Sequence, residues 1–117
     1  MLGDASLFQR TYRRATRLAG RSNVLVVAGS THAAEIRRQV PRHPQDRLVL
    51  EEVGRNTAGS IALAALWIVR RHGDAIMAVL PSDHCVEPTS AFTATLRRAE
   101  DAVRRRDQAL LTIGIPP

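Results

Sequence analysis

Glu51-Glu52-Val53-Gly54-Arg55-Asn56-Thr57-Ala58, read together with Pro81-Ser82-Asp83-His84, sets the organisation of this 117-residue chain. The first stretch is a polar turn that opens a long apolar helix, and the second is a polar turn that closes an apolar strand. A single helix joins them, so both turns are expected at one edge of one sheet. Open α/β sheets bind ligands there, just outside the carboxyl ends of parallel strands.

Working outward, Asn56 is a good helix N-cap, and the helix it opens runs to Arg71. Residues 61–69 are apolar almost all round, which predicts a helix buried against the sheet. Residues 75–80 (Ala-Ile-Met-Ala-Val-Leu) then read as a continuously apolar strand. Upstream, residues 48–50 form a short strand, and residues 23–28, with Val24-Leu25-Val26-Val27, form another of the kind covered on both faces. A short helix from His32 to Val40 lies between these two, broken by Pro41 and Pro44. The chain opens on a helix capped by Asp4 or Ser6, with Leu7, Phe8, Thr11, Ala15 and Leu18 on one face and Gly20 as a left-handed C-cap. Thr89 or Ser90 caps a last helix to about Arg106, with Phe92, Leu96, Ala99 and Val103 inward, and residues 108–115 form a fourth strand. Alternating strands and helices predict a single α/β domain over residues 1–117, a Rossmann-like three-layer sandwich with a mostly parallel sheet.

Composition narrows the class. Hydrophobic residues make up 44%, as in a globular protein with a core. No apolar run reaches the length of a membrane span, and no signal peptide is recognisable. The lone Cys85 excludes an internal disulfide and fits a reducing, cytoplasmic setting. The charge is +6 and all 17 basic residues are arginine. They are scattered at helix ends and outer faces, where they stay solvated. With 3% aromatic residues there are no stacking platforms for bases, which argues against nucleic acid as a partner.

Few residues can carry chemistry. Asp83, after an apolar strand, can hold a hard cation such as Mg²⁺, or serve with Ser82 in ordinary turn hydrogen bonding. Asn56 and Thr57 at a helix start can meet a base, ribose or phosphate, or simply cap the helix. Gly54 permits close approach of a ligand or only shapes the turn. Arg55 can pair with phosphate or remain solvated. His84 has no second ligand at zinc spacing. His32, His43 and His72 read as loop or helix-end residues, and Cys85 as a small buried side chain. There is no Ser/His/Asp order, P-loop or Gly-x-Gly-x-x-Gly pattern.

On these residues the chain resembles the mannose-1-phosphate guanylyltransferases (GDP-mannose pyrophosphorylases). The resemblance lies in Glu51 through Ala58, then Ile61-Ala62-Leu63-Ala64-Ala65, then Val79-Leu80-Pro81-Ser82-Asp83-His84. The opening helix, with Gln9-Arg10-Thr11, and the terminal Leu111-Thr112-Ile113-Gly114-Ile115-Pro116 also fit. The resemblance implies a nucleotidyltransferase domain that joins GTP to mannose 1-phosphate, giving GDP-mannose and pyrophosphate with Mg²⁺. It places Glu51, Gly54, Arg55, Asn56, Thr57 and Ser82 at the nucleotide, and makes Asp83 the metal-holding, catalytic carboxylate. Glu52 and Gly59 stand where the family usually has proline, which loosens the base-binding turn.

The family also opens with a strand and a glycine-rich phosphate loop, which this sequence lacks, so the domain reads as incomplete at both ends. In such a sheet that strand lies between the strands expected at 23–28 and 75–80. Their unpaired edges predict self-association and weak or absent turnover by these residues alone. Other readings are transfer to another sugar phosphate, as in the related glucose-1-phosphate thymidylyltransferases, and a non-catalytic module that binds a nucleotide or a partner.

Overall fold

Ser6 starts the first helix, α1 (Leu7–Ala19), through a reciprocal pair of hydrogen bonds. Its hydroxyl accepts from the Gln9 N–H at 3.1 Å, and its own N–H donates to Gln9 Oε1 at 3.0 Å. The computed structural model in which this is seen describes residues 5–52, 57–82, 89–106, 110 and 112. The chain divides into two compact units, Met1–His84 and Cys85–Pro117.

In the first unit α1 ends at Gly20, whose N–H donates to the Thr16 carbonyl at 2.8 Å. Gly20 has φ 85° but ψ 150°. Positive φ favours glycine here, but the residue turns the chain outward instead of completing the left-handed helical cap expected. Thr11 is buried and Phe8, Ala15 and Leu18 are half-buried, as the helical spacing predicts. Leu7 is a correction, being 42% exposed. The helix start is held by polar ties, not by apolar packing: Ser6 Oγ donates to Gln39 Oε1 at 2.5 Å, and Gln9 Nε2 donates to the Gln39 carbonyl at 2.9 Å.

A tight turn at Arg21–Asn23 leads to β1 (Val26–Gly29). The strand starts later than expected because the Asn23 side chain donates to the Ala19 carbonyl at 2.9 Å, a local bond that competes with strand pairing. Ser30–His32 forms a second tight turn into α2 (Ala33–Gln39). A third turn at Gln45–Arg47 leads to β2 (Leu48–Glu51). β1 and β2 pair in parallel, Val26 opposite Leu48 through Gly29 opposite Glu51. The mixed α/β class and the parallel pairing are therefore as read from the sequence. The core of this unit is Val24, Ala33, Ile36 and Val40, with Thr11 and His43 buried among the polar residues.

His43 is more than the loop residue it resembled. It is 5% exposed. Its Nε2 faces the Arg47 carbonyl at 2.9 Å and its Nδ1 faces the Tyr12 hydroxyl at 2.7 Å. A carbonyl only accepts, so Nε2 carries the proton and Nδ1 accepts from Tyr12. The two rings meet edge to face, 5.3 Å between centroids.

The next helix, α3 (Thr57–His72), packs against β1. It closes at Gly73, with φ 74° and an N–H that donates to the Val69 carbonyl at 3.0 Å. The expectation that residues 61–69 are buried all round is overturned: Leu66 is 60% exposed and Val69 57%. One face of the helix meets the sheet, and a sheet of two strands has no second surface to cover the other. Trp67 is half-buried on α3, with the Arg71 guanidinium 4.5 Å and that of Arg47 5.5 Å from its ring centroid. The strand expected at residues 75–80 is also corrected. Those residues join no ladder, and Ile76 and Val79 are 41% and 49% exposed. A strand exists only by pairing, and the described sheet contains β1 and β2 alone.

The second unit holds α4 (Thr89–Arg104). Phe92, Leu96, Ala99 and Val103 are half-buried along one stripe, as expected. Of the strand expected at 108–115, only Leu110 and Thr112 are described, and neither is in a strand; the rest lies outside the described residues.

Candidate functional site at the carboxyl edge of the parallel pair

Because β1 and β2 run parallel and in register, their last residues, Gly29 and Glu51, stand opposite each other at one edge. One turn leaves β1 there. Ser30, Thr31 and His32 follow β1, all exposed. Glu52, also exposed, follows β2, and α3 begins at Thr57. A helix start carries the positive end of the helix dipole. The first turn of α3 also reaches back to the strand end, where Ser60 Oγ donates to Glu51 Oε2 at 3.2 Å. A half-buried carboxylate, an exposed hydroxyl-bearing turn and a helix start thus share one edge, the place where α/β sheets take ligands.

The residues expected from sequence are distributed as follows. Glu51 is at this edge, and the backbone of Thr57 opens α3. Gly54, Arg55, Asn56 and Asp83 lie outside the described residues. Ser82 is exposed in a turn after a segment that forms no strand, so it is not set at a sheet edge beside Glu51 as expected. Ser60 was missed. Its signal was available in principle: a hydroxyl in the first turn of a helix whose preceding strand ends in an acid.

The carboxylate with a strong shift is elsewhere. Glu35, on α2, is held down to about 2 by hydrogen bonds from Arg38 and Gln39. That is a solvated surface pair and not a reactive group. Among the described residues no three His, Cys, Asp or Glu converge as a metal site. No described helix is long and apolar enough to cross a membrane.

Comparison with known proteins adds to this geometry. The family model described as nucleotidyl transferase matches residues 1–116. The xanthan biosynthesis protein XanB of Xanthomonas campestris pv. campestris is 38% identical over 100% of this chain and 25% of its own length. The alginate biosynthesis protein AlgA of Pseudomonas aeruginosa is 32% identical over 99% of the chain and 24% of its own length. The mannose-1-phosphate guanylyltransferase RfbM of Salmonella typhimurium is 34% identical over 98% of the chain and 24% of its own length. The chain therefore spans about a quarter of the length of these curated relatives. No solved structure matches.

Proposed function

The chain belongs to the nucleotidyl transferase family, and from that premise we propose that it contributes the nucleotide-binding edge of a mannose-1-phosphate guanylyltransferase. In the reaction a phosphate oxygen of mannose 1-phosphate attacks the α-phosphorus of GTP. A new P–O bond forms, the α–β phosphoanhydride bond breaks, and pyrophosphate leaves with GDP-mannose as product. Such a transfer needs positioning and charge neutralisation more than covalent help.

The observation that carries the proposal is the edge where Ser60, in the first turn of α3, donates to the Glu51 carboxylate at the end of β2. Glu51 ends β2 and α3 begins at Thr57, so a carboxylate and a helix start share the kind of edge where α/β sheets take ligands, which supports the reading. In this reading Glu51, Gly54, Arg55, Asn56 and Thr57 line the base and ribose. Asp83 would hold Mg²⁺, consistent with the hard-oxygen chemistry of a carboxylate. The bound cation would neutralise charge on the triphosphate. Cytoplasmic placement accords with the single cysteine.

The test is a thermal melt of the chain with Mg²⁺ and increasing GDP-mannose, beside a UDP-sugar and the Asp83→Asn variant. A ligand that binds only the folded chain stabilises it by about 2.7 kcal/mol at a hundredfold excess over Kd. A rise in midpoint specific to GDP-mannose, reduced in Asp83→Asn, is expected. A midpoint indifferent to every ligand would sink the proposal. Pyrophosphate release from GTP and mannose 1-phosphate by the chain alone is expected to be weak or absent.

A further inference from the structure

Glu51 is bound on one side only. Its Oε2 accepts the Ser60 hydroxyl at 3.2 Å, while Oε1 has no hydrogen-bond partner among the described residues. Both residues are half-buried, and Glu51 is the last residue of β2, level with Gly29 at the carboxyl edge. A free glutamate side chain has three rotatable bonds and would sweep this edge. Ser60 removes that freedom from the far side, out of the first turn of α3. An ionised carboxylate only accepts hydrogen bonds, so the oxygen left over selects for a ligand that presents N–H or O–H donors at this edge.

We propose that Ser60 is a positioning residue for nucleotide binding: it orients the Glu51 carboxylate so that Oε1 meets the donor groups of the nucleoside. This rests on the nucleotide-binding reading of the edge given above. Ser60 acts through Glu51 and need not touch the nucleotide. Its contribution is the order it imposes before binding, which a ligand would otherwise have to supply.

The local physics separates this role from a structural one. Ser60 lies inside α3, where alanine is the stronger helix former. Ser60→Ala is therefore expected to leave the melting temperature unchanged or slightly raised, while weakening GTP binding about five- to tenfold, within the span of one ordinary intramolecular hydrogen bond. Ser60→Thr keeps the hydroxyl and should restore most of the affinity.

The decisive measurement is a double-mutant cycle by calorimetric titration of GTP into the unsubstituted chain, Ser60→Ala, Glu51→Ala and the double variant. Glu51→Ala should weaken binding at least as much as Ser60→Ala, and adding Ser60→Ala to it should change nothing further. If Glu51→Ala weakens binding but Ser60→Ala does not, or if the two losses multiply independently, the positioning role is wrong and the nucleotide-binding reading stands. If the unsubstituted chain binds no GTP, that reading fails and takes this inference with it.

Discussion

Replacing His43 with phenylalanine tests what holds the first unit together. The ring volume and the edge-to-face contact with Tyr12 would be kept, while both hydrogen bonds of the imidazole would be lost. His43 is 5% exposed, so the substitution site itself cannot be rehydrated. The Tyr12 hydroxyl and Arg47 carbonyl belong to half-buried residues and can partly recover water. Each lost bond is then worth about 1 kcal/mol, at the middle of the usual range, for a total of about 2 kcal/mol. With about 2.1 cal/mol/K of unfolding entropy per residue, a chain of 117 residues loses about 8 °C in melting temperature for that change. Thermal and urea unfolding of His43→Phe, Tyr12→Phe and the double variant would measure it. The single variants should each destabilise, and the double variant should cost about 1 kcal/mol less than their sum, since both remove the same bond. A His43→Phe midpoint within a degree or two of the unsubstituted chain would refute the reasoning. Strict additivity would show that the Tyr12–His43 hydrogen bond contributes nothing to stability.

Two further outcomes are expected. Burial raises the Tyr12 hydroxyl above its ordinary 10.0, partly opposed by the charge of Arg21. A raised acid favours the protonated folded state, so this stability is fully present below about pH 10 and is lost as pH rises through the folded value. Unfolding followed from pH 8 to 11 should show an alkaline loss that Tyr12→Phe reduces; an identical slope in the variant would contradict it. Separately, Leu66 and Val69, at 60% and 57% exposure, with Ile76 and Val79 exposed nearby in sequence, leave apolar surface in water. Sedimentation should show concentration-dependent self-association that Leu66→Glu with Val69→Glu reduces, and a monomer at every concentration would count against it.

Local chemistry was legible wherever a residue acts on its own neighbours in sequence. Ser6 and Gln9 form the cap their spacing foretells, Gly20 and Gly73 end helices, and the stripe Phe92, Leu96, Ala99, Val103 turns one face inward. The turn beginning at Glu51 could be placed at the end of a strand and the start of a helix because both flanking patterns are strong. The proposal that it meets a nucleotide rests on a resemblance carried by the order of two motifs along the chain, which periodicity alone does not supply. The two largest readings that failed required a surface from elsewhere in the chain. Residues 75–80 are apolar enough for a strand, yet a strand needs a neighbouring ladder. Residues 61–69 are apolar enough for a buried helix, yet burial needs a second face to cover Leu66 and Val69.

The same division separates the polar residues that matter. Sequence by itself determined the α/β class, the parallel βαβ order and the acid at the end of β2, because these follow from short-range periodicity and turn chemistry. Only the tertiary structure decided that His43 is a buried bridge between Tyr12 and the Arg47 carbonyl, and that Ser60 reaches back to Glu51. The Tyr12–His43 and Ser60–Glu51 contacts join residues 31 and 9 positions apart in sequence. Nothing in the character of a loop histidine or a helix serine reveals them until packing sets donor and acceptor within 3 Å or so of each other.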